Sequence, residues 1–126
     1  MRLCAFALLA LAGIASADDA PSFKRDIVPV LRTRCATCHL TGNEAGNMAL
    51  YPDAAYANLV GVKSPTTGLV RVDPGKPESS YLIMKLDGTQ LNKGGAGARM
   101  PFGADPLPAE TIALIASWIK AGAADN

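Results

Sequence analysis

The chain has 126 residues, with 12 Lys and Arg against 11 Asp and Glu and a formal net charge of +1. That length suits one small domain. The near-balance of charge excludes the basic footprint of a nucleic-acid binder and leaves no polybasic run for an anionic membrane surface.

The first segment reads as a leader. Arg2 precedes the apolar run Leu3–Ile14, and Ala15-Ser16-Ala17 follows as an A-x-A cleavage signal. Met1–Ala17 is therefore expected to be a secretory signal peptide, with residues 18–126 as the exported domain. The apolar run is too short to span a bilayer, so the mature form is expected to carry no membrane anchor. Cys4 and Arg2 leave with the leader. Two of the three cysteines remain, Cys35 and Cys38, and 11 basic residues then match 11 acidic ones.

Four helices are expected in the rest, joined by Gly- and Pro-bearing loops. The first starts at Ser22, a good N-cap, and runs toward Cys38. Phe23, Ile27 and Leu31 form its apolar stripe at i, i+4 and i+8. Pro29 removes a helical hydrogen bond and should kink it. A second helix fits Asp53 to Val60, capped by Asp53 and ended by Gly61. A third fits Pro77 to Leu86, with Glu78 near the positive end of its dipole. The fourth runs from Pro108 to about Ala121, ended by Gly122, with Ile112, Ile115, Ala116 and Ile119 as its buried face and Trp118 flanking it. Between the last two lies Gly88–Gly103, whose five glycines make it too permissive for regular structure. No period-2 strand is evident, so the fold class is all-α.

Cys35-Ala36-Thr37-Cys38-His39 is C-x-x-C-H, the signature of covalent haem attachment. Two thiols three positions apart can each add to a vinyl group of one porphyrin, and the adjacent imidazole then reaches the iron as proximal ligand. A thioredoxin-like pair needs a strand-to-helix setting that the pattern lacks. A disulfide across so small a loop removes little chain entropy. A zinc site lacks a fourth cysteine or second histidine.

His39 is the only histidine, so one haem c is the maximum. The sixth ligand is then Met, an unusual donor such as Lys, Tyr or Asn, or water at an open position. Met100 is the preferred candidate, since Arg99-Met100-Pro101 is a loop pinned by proline before the last helix. Met84 falls on the third helix as core filler, and Met48, in a polar Gly-rich stretch, is held in reserve. Arg71 and Arg99 are candidate partners for haem propionates, the alternative for each being a solvated surface charge.

These residues resemble a small bacterial monohaem cytochrome c of the class I type. The likeness covers most of the mature chain, from Phe23-Lys24-Arg25-Asp26-Ile27 through C-x-x-C-H to Trp118-Ile119-Lys120-Ala121-Gly122-Ala123. It includes Pro74-Gly75-Lys76-Pro77-Glu78-Ser79-Ser80-Tyr81-Leu82 and the Met100-Pro101 pair. The resemblance implies a helical domain wrapped around one covalent haem, with His39 and Met100 as axial ligands. It also implies first and last helices crossing through Phe23, Ile27, Ile115, Trp118 and Ile119. The expected role is periplasmic electron transfer, not catalysis, between a reductase or dehydrogenase and an oxidase. The alternatives are a dedicated haem subunit of a larger oxidoreductase and a ligand-binding haem sensor with an open iron position.

Overall fold

The computed structural model describes residues 19–126. The signal-peptide expectation for Met1–Ala17 lies outside the described residues. Among the described residues the regular elements are all helical, and β-structure is limited to two isolated bridges, Val60 to Val72 and Lys63 to Val70. No helix among them is long and apolar enough to cross a membrane.

The first helix begins where its cap signal places it. Ser22 Oγ accepts the Arg25 N–H at 3.2 Å, and the Asp26 carboxylate accepts the Ser22 N–H at 2.7 Å. The opening turn, Phe23–Ile27, is π-helical and runs directly into α1, Val28–Arg34. Pro29 falls in the first turn of α1, where a residue without an N–H is tolerated, and not in a helix interior. Phe23, Ile27 and Leu31 are buried, as their spacing predicts.

Helix α2, Pro52–Leu59, starts one residue before the expected Asp53. Pro52 fits the first turn because it has no N–H to leave unpaired. Tyr51 is the N-cap and offers no side-chain bond, so Asp53 acts on the helix dipole instead of capping.

The helix expected over Pro77–Leu86 is broken in two: a 3₁₀ turn, Pro77–Ser79, and α3, Tyr81–Asp87. Ser80 between them is extended and fully buried. Its hydroxyl donates to the Lys76 carbonyl at 2.8 Å and accepts the Asp73 N–H at 2.9 Å. These bonds to the preceding turn draw the backbone out of the helical path. Gly88, at φ +83°, ends α3 in the left-handed conformation that glycine adopts without strain.

Helix α4, Ala109–Lys120, is capped by Pro108. Its buried side is rotated relative to the expected one: Trp118 is 1% exposed and central, while Ile112 and Ala116 are only half-buried. Trp118 and Phe23 stack with ring centroids 5.1 Å apart, and Phe23 meets Tyr56 edge-on at 5.2 Å. The last residues close this junction. Trp118 Nε1 donates to Ala124 O, Tyr56 Oη donates to Ala123 O, and Asn126 accepts the backbone N–H groups of Phe23 and Lys24. The first turn's free donors are thus satisfied by the distant end of the chain.

Candidate functional site

The C-x-x-C-H segment forms the turn that ends α1. The Leu31 carbonyl accepts the N–H groups of Cys35 and Ala36, and the Cys35 carbonyl accepts those of Cys38 and His39 at 3.2 and 3.1 Å. One tight turn therefore presents both thiols and the imidazole.

Both cysteines are free; Cys35 is half-buried and Cys38 exposed. Burial pushes the Cys35 thiol up to about 11, with the Arg34 charge opposing and Cys38 adding to the rise. Burial of this kind disfavours the Cys35 thiolate. Among the described residues no three His, Cys, Asp or Glu side chains gather to hold a metal ion. The thiols and imidazole therefore do not converge as ligands of one directly bound ion.

The His39 imidazole is shifted below its ordinary value, chiefly by burial, with Glu44 opposing and Arg71 and Lys85 adding to the fall. It is neutral near pH 7 and has a lone pair to give. Nδ1 is buried and without a hydrogen-bond partner. The loop after it is tightly made. The Glu44 carboxylate accepts the Thr41 N–H at 3.0 and 3.1 Å and the Gly42 N–H at 3.0 Å. These donors, the Thr41 amide first, hold the carboxyl down at about 2.

Gly46 lies against the imidazole: a Cβ there would sit 3.7 Å from both His39 Cε1 and Met48 Cε. Met48 therefore shares the near side of His39. Met48, the reserve candidate, and the His39 ring thus both border Gly46. Met84 is buried core, as expected.

Met100 is half-buried and packs against the core, and its backbone N–H donates to the Lys85 carbonyl at 2.8 Å. The Gly88–Gly103 segment, expected to be irregular, contains a 3₁₀ turn, Gln90–Lys93. Side chains from α3 and this turn hold the rest. Tyr81 Oη donates to the Ala96 carbonyl and accepts the Ala96 N–H, at 3.1 and 3.0 Å. Lys85 Nζ donates to the carbonyls of Ala96 and Ala98, and Gln90 Nε2 to that of Gly97. Gly95 admits no Cβ: one would stand 2.6 Å from Tyr81 Cε2 and 2.8 Å from Gln90 O. Tyr81, Lys85 and Gln90 were not legible as site residues. The one available signal was the i, i+4 spacing of Tyr81 and Lys85, which puts both on one face of α3.

The two arginines differ. Arg99 is exposed and makes no side-chain hydrogen bond among the described residues; its stem lies across Gly88. Arg71 is only 6% exposed, so it is not a solvated surface charge. Its guanidinium donates to the carbonyls of Asn58, Gly46 and Asn47. An open groove of about 340 Å³ runs between α1 and the approach to α4, lined in part by Pro29, Val30, Arg34, Leu107 and Pro108.

The chain matches no family model, no curated protein and no solved structure.

Proposed function

We propose that this chain is an exported electron carrier holding one covalent haem c, wrapped by the helical domain. The observation that carries the reading is the C-x-x-C-H turn: two free thiols and a neutral, otherwise unbonded imidazole on one turn. Such a donor set fits a haem. Cys35 and Cys38 would hold it through thioethers, and His39 would bind its iron as proximal ligand. The bound group supplies one-electron chemistry, the iron alternating between ferric and ferrous.

Met100 is the distal ligand in this reading. Its loop is tied to α3 through Tyr81 and Lys85 and to the 3₁₀ turn through Gln90, which supports a closed iron over the sensor alternative. A thioether ligand favours the reduced iron. Arg99 has donors to spare for a propionate, whereas Arg71 already serves three carbonyls. The partners are redox proteins, a reductase or dehydrogenase and an oxidase. They would meet the domain around Thr37, Cys38 and Leu40, all exposed beside the proximal turn.

The optical spectrum of the oxidised, haem-bearing protein tests the ligand set. The weak sulfur-to-iron band should disappear in Met100→Ala and persist in Met48→Ala. Carbon monoxide should bind the reduced Met100→Ala protein at least ten times faster than the unaltered one. A band that survives in Met100→Ala overturns the assignment.

A further inference from the structure

We propose that Arg71 is a positioning residue: it fixes the loop behind His39 and, as a buried cation without a carboxylate partner, biases an iron held by that imidazole toward its reduced state. The inference rests on the haem reading above and adds to it what sets the redox balance.

Buried arginines are ordinarily paired with an acid. Among the described residues the ion pairs are Lys24 with Asp125 and Arg25 with Asp26, and neither involves Arg71. Its neighbours are dipoles instead. One N–H reaches Asn58 O at 2.8 Å, while Nη2 bridges Gly46 O at 2.6 Å and Asn47 O at 3.1 Å. Carbonyl dipoles solvate a guanidinium without cancelling its charge.

Those acceptors place that charge beside the imidazole. Gly46 and Asn47 belong to the loop that returns from His39, and a Cβ on Gly46 would touch the ring. Gly46 also sits at φ +93°, a conformation that favours glycine. Arg71 therefore grips the peptide that packs on His39, and among the described residues no other side chain donates to those two carbonyls.

A second observation points the same way. His39 Nδ1 is buried and has no hydrogen-bond partner among the described residues. An imidazole whose Nδ1–H is bonded to a carbonyl or carboxylate is a more basic ligand and favours ferric iron. His39 lacks that support. The buried charge and the unsupported imidazole both stabilise the ferrous form. A unit charge within about 10 Å, at an effective dielectric near 20, changes a one-electron equilibrium by a factor of order ten.

The test uses haem-bearing protein with Arg71→Gln and Arg71→Lys, comparing the ferrous-to-ferric ratio at one fixed ambient potential by absorbance. Arg71→Gln should lower the ratio about tenfold, equivalent to ~59 mV for one electron. Arg71→Lys, which keeps the charge but not the three-carbonyl fork, should recover most of it, although both variants lose resistance to urea. An unchanged ratio in Arg71→Gln, or an equal fall in both variants, overturns the proposal. Should neither variant fold, the unaltered ferrous protein still decides. Its His39 Nδ1–H should show no NMR coupling to a backbone carbonyl, and a coupling to Gly46 or Asn47 overturns it. Protein that carries no haem would defeat the proposed function, whereas haem-bearing protein with an unmoved potential would defeat only the role of Arg71.

Discussion

Replacing Gly95 by alanine is expected to destabilise the domain by about 1–3 kcal/mol and to loosen the segment that carries Met100. The cause is steric. The added methyl would lie 2.6 Å from Tyr81 Cε2, 2.8 Å from Gln90 O and 2.9 Å from Gln90 Cβ. None of these can move freely. Gln90 O accepts the Gly95 N–H at 2.8 Å, and the Tyr81 ring is fixed through its hydroxyl to Ala96. Relief requires the 94–99 segment to lift away from α3, and Met100 follows it. Gly94 is the control. It has open space around its Cβ position but a φ of +82°, so alanine there meets only the left-handed strain of about 1–2 kcal/mol and displaces no neighbour. Urea unfolding measures the stabilities, and carbon monoxide binding to the reduced haem-bearing protein measures the loosening. Faster binding in Gly95→Ala than in Gly94→Ala is the expected result; equal rates would show that the glycine loop does not govern Met100.

Trp118→Ala should be the most damaging single core change, costing about 3–5 kcal/mol. Trp118 is the largest of the fully buried side chains and joins three parts of the chain. Its ring lies on Phe23 at the start of the first helix, its indole N–H holds Ala124, and through Phe23 it supports Tyr56 of α2. Removing it leaves a cavity and frees the tail whose Asn126 completes the first turn. Small domains have net stabilities of about 5–15 kcal/mol, so the loss approaches the whole at the lower end. Trp118→Phe, which keeps the ring contact but loses the bond to Ala124, should cost markedly less. A loss below about 1 kcal/mol for Trp118→Ala in urea unfolding would contradict the packing described.

The helical scaffold was legible because it is encoded locally. Phe23, Ile27 and Leu31 repeat at helical spacing, Ser22 is a capping residue, and Gly122 follows the end of the last helix. The errors arise where distant groups decide. Ser80 looks helical by its neighbours, but its hydroxyl is claimed by the turn at Asp73 and Lys76. The glycines between 88 and 103 suggest looseness, yet Tyr81, Lys85 and Gln90 reach across to satisfy that loop's carbonyls. Sequence spacing carries no record of those bonds. Asn126, which no period marks, caps the helix at the other end of the chain.

At the site the same division holds. Cys35, Cys38 and His39 are contiguous, so their shared turn follows from the chain itself. Met48 and Met100 could be ranked only by their surroundings, and the position of Met48 beside Gly46 and His39 needed three dimensions. Arg71 had a readable clue: it stands between valines in Leu69-Val70-Arg71-Val72, a setting that buries its neighbours. Composition alone could not say that its partners would be carbonyls and not an acid.

The intact mass of the polypeptide, made in cells able to export it and attach haem and denatured before weighing, addresses the central claim without any assumption about partners. The Cys35–Cys38 turn predicts the mass of the processed chain plus one haem that survives denaturation and disappears when both cysteines are replaced by alanine. A mass equal to that of the bare polypeptide would contradict the account.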